Sequence, residues 1–206
     1  MKKNLISALL TGACLLFSAT ASFAECTYKP EKEGFNMSFT AYGAPEKNYI
    51  VKGNKFKEYT LASESGLLKG ASIEIDATSL DTSFTKDNGL GAEWPAMFLT
   101  LRDSNVVGYF FNKFKTDPAK INATISAINE DSLDLDVTMN GVTKTIAMSF
   151  TVEEGKLMAA GKLEILDFAP KAFKSLRDVC EAGFHQGKSW SDIDLKFDVP
   201  VEKNCN

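Results

Sequence analysis

The twenty residues Leu133 to Val152, LDLDVTMNGVTKTIAMSFTV, constrain the fold more tightly than any other part of this chain. Asn140-Gly141 stands between two runs of alternating polarity. That pair is a strong hairpin signal, because a type I′ turn requires φ > 0 at both central residues. A two-residue loop also sets the register, placing Met139 opposite Val142, Leu135 opposite Ile146 and Leu133 opposite Met148. Each of these pairs is apolar. Asp134, Asp136, Thr145 and Ser149 point the other way, and only Val137 opposite Lys144 is mismatched. The expected product is an antiparallel ribbon with one wet face and one apolar face. The same register puts Asp131 opposite Phe150, on the apolar face near a strand end, where a polar ligand group could be met.

Alternation of this kind recurs along the chain. Phe35, Met37, Phe39 and Ala41 share one parity; so do Ala71, Ile73, Ile75 and Ala77, and again Ile121, Ala123, Ile125 and Ala127. The last run is the cleanest, with Ile193, Leu195, Phe197, Val199 and Val201 set against Asp192, Asp194, Lys196 and Asp198. Together with the hairpin, the Tyr49–Leu61 region and Lys156–Phe168, the pattern predicts about eight antiparallel strands. Such a set folds as a sandwich or as a closed barrel; a barrel removes exposed edges, and one of eight strands can hold a small ligand. Two stretches break the alternation. Arg102–Phe114 spaces Val106, Val107, Phe110, Phe111 and Phe114 at helical intervals, and Pro170–Phe184 opens on a proline suited to a helix start. Thr85–Thr100, with Gly89, Gly91 and Trp94-Pro95, reads as a loop.

The first 24 residues read as a secretory signal. Lys2 and Lys3 precede an apolar run of 13 residues, Leu5 to Phe17, and Ser22-Phe23-Ala24 offers small residues at the positions a signal peptidase recognises. The run is shorter than the roughly 20 residues of a spanning helix. Residues 25–206 are then one exported, periplasmic domain with no stable membrane span. Without Lys2 and Lys3 the 23 basic residues drop to 21 against 27 acidic ones, a net charge of −6, and the cations are scattered. That balance disfavours nucleic acid, which recruits clustered cations. A dimer stays open.

Three cysteines follow the signal, and their spacing allows three pairings. If the first and last strands are antiparallel neighbours, Cys26 lies beside Cys205, and Cys180 sits towards the opposite end, free or bound to a partner. The single histidine, His185, has no metal-ligand spacing around it and reads as an exposed loop residue. No Gly-x-Ser-x-Gly elbow and no phosphate-binding glycine loop is present. The acidic residues mostly occupy the outward parity of strands, as a solvated face requires.

Particular residues carry a resemblance. Gly70–Thr82, GASIEIDATSLDT, resembles the strand ending in Ser-hydrophobe-Asp-Thr of the YceI-like family of exported lipid-binding proteins. Leu101-Arg102-Asp103 followed by Tyr109-Phe110-Phe111 is similar to that family's Arg-Asp and Phe-Phe segment. Met139–Lys144 resembles its Gly-Val-Thr-Lys hairpin, and Leu166-Asp167-Phe168 its Asp-Phe ending. The chain departs from the common pattern in a longer segment between Thr82 and Arg102, in the helical stretch from Pro170, and in its cysteines. The resemblance implies an all-β, lipocalin-like, eight-stranded antiparallel barrel with two short helices. It implies no catalysis and no cofactor, with a polyisoprenoid, quinone or fatty-acid derivative as cargo.

The expected function is therefore a periplasmic carrier of a long-chain apolar lipid, such as a polyisoprenoid or fatty amide. The expected wall comprises Met37, Phe39, Ile73, Ile75, Phe110, Phe111, Ile125, Leu133, Leu135, Ile146, Met148, Phe150, Leu195 and Phe197, with Cys26 bonded to Cys205. The same side chains would equally suit a solid core, since Met and Phe fill cores routinely. The rival readings are an interaction or stress-response module with that solid core, and a hydrolase or redox protein using His185 or Cys180.

Overall fold

The computed structural model describes residues 26–87, 93–116, 120–180 and 183–205; the expected signal segment lies outside them. Within these residues the strands are β1 (Cys26–Pro30), β2 (Asn36–Gly43), β3 (Tyr49–Phe56), β4 (Tyr59–Ala62), β5 (Ser72–Asp76) and β6 (Leu80–Asp81). They continue with β7 (Lys120–Ile128), β8 (Ser132–Met139), β9 (Val142–Glu153), β10 (Lys156–Glu164) and β11 (Asp192–Cys205). Two helices, α1 (Ala96–Tyr109) and α2 (Pro170–Cys180), interrupt the sheet order.

The β8–β9 hairpin has the register its turn dictates: Met139 pairs with Val142, Leu135 with Ile146 and Leu133 with Met148. Asn140 and Gly141 both take positive φ, 54° and 75°, as the type I′ turn demands. All the pairings are antiparallel, and they close on themselves. β3 runs on into β4 and β5 into β6, with a kink in each; Tyr59 pairs with Ile75 on one side of it and Phe56 with Leu80 on the other. Hydrogen bonds from Asp76 N to Glu58 O (3.0 Å) and from Lys57 N to Ser79 O (3.1 Å) carry the ladder across the kink. Asp76 shapes it by accepting from Thr78 N and Thr78 Oγ1 through Oδ1. Each bent pair therefore counts as one strand, and the ring runs β2, β3/β4, β5/β6, β7, β8, β9, β10, β11 and back to β2. This is the eight-stranded, lipocalin-like barrel expected from the alternation and the resemblance.

Boundaries shift where local chemistry was ambiguous. The first helix begins at Ala96, with Pro95 at its cap, so the expected loop ends earlier; Ala-Met-Phe-Leu are good helix formers and extend the turn backwards. It ends at Tyr109, and Phe111–Lys113 form a 3₁₀ turn. The second helix stops at Cys180, and Gly183–His185 make a separate 3₁₀ turn opening at a positive φ. The strand expected over Lys156–Phe168 ends at Glu164 and tightens into a 3₁₀ turn at Ile165–Asp167.

The interior has two packed ends. The helix end gathers Phe56, Phe110, Phe111, Phe114, Phe168 and Phe173 with Val137 and Met139. The opposite end packs Tyr28, Leu68, Leu133, Met148, Phe150, Leu157, Val199 and Val201. There the disulfide joins Cys26 to Cys205, which face each other in the β1–β11 ladder. The bridge fits an oxidising compartment. Cys180 is a free thiol, half-buried at the helix end.

On the outer face, β11 carries an ordered line of carboxylates. Asp194 accepts from Lys162 Nζ (2.7 Å) and from the Tyr42 hydroxyl, and Asp198 forms an ion pair with Lys156 Nζ (2.6 Å) and accepts from Asn36 Nδ2 (3.0 Å). The Lys162 bond, then the Tyr42 bond, hold Asp194 below the usual carboxylate range. At Asp198 burial pushes upward, and the Lys156 and Asn36 bonds outweigh it. The bond to Asp194, with burial behind it, pushes Tyr42 up to about 12.

Two predictions follow from this architecture. The bridge spans 179 residues, so in the chain-entropy account it contributes up to about 5 kcal/mol; Cys26→Ser with Cys205→Ser is expected to lose roughly 2–5 kcal/mol in urea unfolding. A double variant as stable as the wild type would contradict it. The lowered carboxylates stabilise the fold above their ordinary value of 3.8, and that contribution fades as pH falls below it. Tyr42 stabilises below its ordinary value of 10.0, and its contribution fades as pH rises from there towards 12. Asp194→Asn is expected to flatten both limbs of the stability–pH curve, measured by urea midpoints across the range.

Candidate functional site

Between the two packed ends the barrel is hollow, with a cavity of about 500 Å³. Its wall explains an oddity of burial. Met37, Phe39, Ile73, Leu135, Leu195 and Phe197 hold the inward parity, yet none of them is fully buried, because each borders empty space. Ile75, Phe110, Phe111, Ile125 and Met148 border the same cavity while being fully buried. Eleven of the fourteen expected wall residues are thus brought to one space.

The other three lie elsewhere. Leu133 is completely buried in the disulfide-end cluster, and Phe150 packs there edge-on against Tyr28, ring centroids 5.8 Å apart. Ile146 sits where β9 has not yet met β10, since that pairing begins at Met148 with Gly161, and it packs beside the two clusters instead. A Cβ on Gly161 would come within 2.8 Å of Met148 Cγ, so the glycine leaves Met148 its place on the wall. Asp131 is exposed, and its carbonyl accepts from Phe150 N at 2.9 Å; the expected inward carboxylate is corrected to a solvent-facing one at the strand end.

An aromatic mouth stands at the helix end. Trp94 meets Phe184 edge-on at 4.3 Å, Phe98 at 5.9 Å and Tyr49 at 6.1 Å between ring centroids. Tyr49 in turn stacks edge-on with His185 at 4.8 Å. His185 is half-buried rather than exposed, with Nδ1 3.1 Å from the Ser189 hydroxyl. Gly43 makes room for this arrangement, because a Cβ there would lie 2.6 Å from His185 Nδ1 and 2.7 Å from Tyr49 Cδ1. The segment is stitched to the end of β2 by Ala44 N to Lys188 O (2.8 Å), Trp190 N to Tyr42 O (3.1 Å) and Trp190 Nε1 to Ala44 O (2.8 Å). Phe98, Leu101, Val179 and Phe184 border the cavity and are also exposed, so apolar surface runs from the lumen to the outside.

Polar side chains at the wall are mostly committed to the fold. Arg102 on α1 donates from Nε to Thr82 Oγ1 (2.7 Å) and from Nη2 to Thr82 O (2.6 Å) and Thr85 O (3.2 Å). The buried Thr82 hydroxyl donates to Asp103 Oδ1, which also accepts from Thr82 N at 3.0 Å. Among the described residues no group of three or more His, Cys, Asp or Glu side chains is placed to hold a metal, and no helix is long and apolar enough to cross a membrane.

The family model described as a YceI-like domain matches residues 28–201. The chain belongs to the YceI-like family. No curated protein sequence matches it. Among solved structures, the chain is similar to the crystal structure of Burkholderia cenocepacia BcnA, at 15% identity and a TM-score of 0.45, covering 81% of this chain and 96% of that one.

The four family landmarks turn out to be two clasps. Asp81-Thr82 and Arg102-Asp103 bind each other through the network just described and pin α1 to β6. The hairpin landmark binds the Asp-Phe landmark: Asn140 Nδ2 donates to Phe168 O at 2.9 Å, and Asn140 Oδ1 accepts from Lys115 N at 2.6 Å. The residues that carried the resemblance thus fix the helix end of this barrel. The mouth residues Tyr49, Trp94, Phe98, Phe184, His185 and Trp190, and the wall residue Asn54, were not legible as a site. They come from three separated segments, and the one available signal was the aromatic content of the atypical stretch after Thr82. Thr82→Val deprives Arg102 Nε and Asp103 Oδ1 of a partner at once, so it is expected to cost about 1–3 kcal/mol in urea unfolding, with Thr82→Ser close to wild type. Equal stability of all three proteins would contradict the clasp.

Proposed function

We propose that this YceI-like protein is a periplasmic, non-catalytic carrier or sequestering protein for a long-chain apolar lipid such as a polyisoprenoid or fatty amide. The observation that carries the reading is the apolar lumen of about 500 Å³, a volume typical of small-molecule sites, opening through an aromatic mouth. Membership of a family of exported lipid-binding proteins supports it, as does a disulfide suited to an oxidising compartment. The energetics suffice. Burying about 15 methylenes at roughly 0.8 kcal/mol each supplies on the order of 12 kcal/mol against association costs of about 4–15. Such a lumen selects length and shape, and the few polar groups on its wall select the head.

The solid-core reading leaves a lumen of this size without a purpose. The redox or nucleophile reading is disfavoured at Cys180, because burial pushes its thiol up and away from the reactive thiolate.

Native mass spectrometry of the protein taken from its own periplasm is expected to show a bound lipid, released by organic extraction. Protein that is consistently empty and also refuses polyprenols and fatty amides would sink the proposal. Leu135→Trp, which fills the lumen from β8, is expected to weaken lipid binding roughly tenfold or more while circular dichroism stays unchanged.

A further inference from the structure

Two side chains bordering the lumen are buried with a polar atom that has no hydrogen-bond partner: Asn54, 1% exposed, at Oδ1, and Trp94, 8% exposed, at Nε1. Buried polar atoms are nearly always paired, so a vacancy of this kind asks for an explanation. Asn54 owes its inward position to a bulge. Phe39 pairs with Asn54 but Ala41 with Val51, so β3 carries one extra residue, and Gly53 takes φ +69° there. The Asn54 amide donates from Nδ2 to Val51 O at 2.8 Å, which settles its orientation, since only the nitrogen can donate to a carbonyl. Bracing the bulge uses the donor half of the amide alone. The acceptor half is unused by the fold.

Trp94 is tied by hydrogen bonds to the strand that carries Asn54. The Thr85 hydroxyl accepts from Lys52 N and donates to Lys52 O, both at 2.7 Å, two residues before Asn54. Trp94 N then donates to Lys86 O at 2.6 Å. The bulge and the tryptophan segment are thereby stapled side by side, one offering a lone pair and the other an N–H.

Charge narrows what can answer them. Among the described residues no aspartate or glutamate borders the cavity, so a cationic head finds no counter-charge. Of the cationic side chains at its border, Arg102 commits Nε and Nη2 to Thr82 and Thr85, Lys32 donates from Nζ to Leu61 O at 3.3 Å and Lys196 is exposed; a phosphate or carboxylate would also set negative oxygens against Asn54 Oδ1. A quinone or ester brings acceptors alone and leaves that oxygen unpaired.

We propose that Asn54 Oδ1 and Trp94 Nε1 form the head-group subsite of the lumen, and that the ligand is a neutral long-chain alcohol or amide carrying both an O–H or N–H and a lone pair. The assignment rests on the lipid-carrier reading above and narrows it to one class of lipid.

The test uses the delipidated exported protein and three chain-matched ligands, oleyl alcohol, its methyl ether and the parent alkene, in competition against a fluorescent fatty ligand. The wild type is expected to bind the alcohol about tenfold tighter than the ether, the effect of one buried hydrogen bond. Asn54→Leu, close to isosteric, is expected to bring alcohol and ether within about twofold of each other and to melt at a lower temperature, because it also removes the Nδ2 bond to Val51 O that braces the bulge. Trp94→Phe is expected to weaken alcohol and ether alike by roughly three- to tenfold and leave the alkene unchanged. Equal wild-type affinity for alcohol and ether, or an alcohol preference that survives Asn54→Leu, overturns the subsite while lipid binding stands. Failure of the wild type to bind any of the three overturns the carrier reading instead. Should Asn54→Leu not fold, the wild-type ratio and Trp94→Phe decide the matter.

Discussion

The rest of the molecule depends on strand β11, because it closes the ring. Over Asp192–Pro200 it pairs with β10 on one side, and over Asp194–Asp198 with β2 on the other. Beyond β2 it continues alongside β1 to the Cys26–Cys205 bridge. A strand that satisfies ladder hydrogen bonds along both edges turns a curled sheet into a barrel without exposed edges. It also explains the outer carboxylates. A closed ring has one face in water and one turned inward, so Asp192, Asp194 and Asp198 meet Lys47, Lys162 and Lys156 outside, while Ile193, Leu195, Phe197 and Val199 face the lumen.

Closure creates a second consequence, the hollow. An eight-stranded ring has a diameter set by strand number and stagger, and side chains fill it only if they are bulky at each level. At the helix end Phe110, Phe111 and Phe114, just after α1, and Phe173 of α2 fill it; at the disulfide end Leu133, Met148, Leu157 and Phe150 do. At the middle level stand side chains such as Ile73, Ala123, Leu135 and Leu195, which leave space between them. The helices are therefore a partial stopper. The clasp between Thr82 and Arg102-Asp103 holds one of them, and the bond from Asn140 to Phe168 steadies the turn before the other. An aromatic mouth remains beside them.

Much of this was legible because it is local. The Asn140-Gly141 turn determines its register by backbone conformation alone, and the period of two assigns the inward parity of the long strands except across two bulges. One lies in β3 before Asn54 and one in β7 after Ile125, which puts Ala127 opposite the outward Asp134 instead of on the expected inward face. The kink between β3 and β4 was not legible, since it arises from the Asp76 turn on the partner strand. Helix ends were misread by several residues where Ala96–Thr100 could serve either a loop or a helix. His185 was read as a solvent-exposed loop residue because nothing in its neighbourhood announces that Tyr49, over a hundred residues earlier, supplies a ring to stack on. Leu133, Ile146 and Phe150 share the lumen-facing parity, yet parity says only which side of a sheet a residue takes, not whether a neighbour fills the space before it.

By itself the sequence determined which faces are wet and which are apolar, where the hairpin turns, and through four short landmarks which family the chain belongs to. These are consequences of dihedral preference and of period-two burial, and both act over a few residues. The tertiary structure bore out the Cys26–Cys205 pairing expected among the three that spacing allows, and it alone decided that the barrel is hollow and that Trp94, Phe184 and His185 gather at one mouth. It alone left Asn54 and Trp94 with unpartnered polar atoms on an apolar wall. Those features depend on how residues distant in the chain divide a fixed interior volume and its hydrogen bonds, which no local pattern encodes.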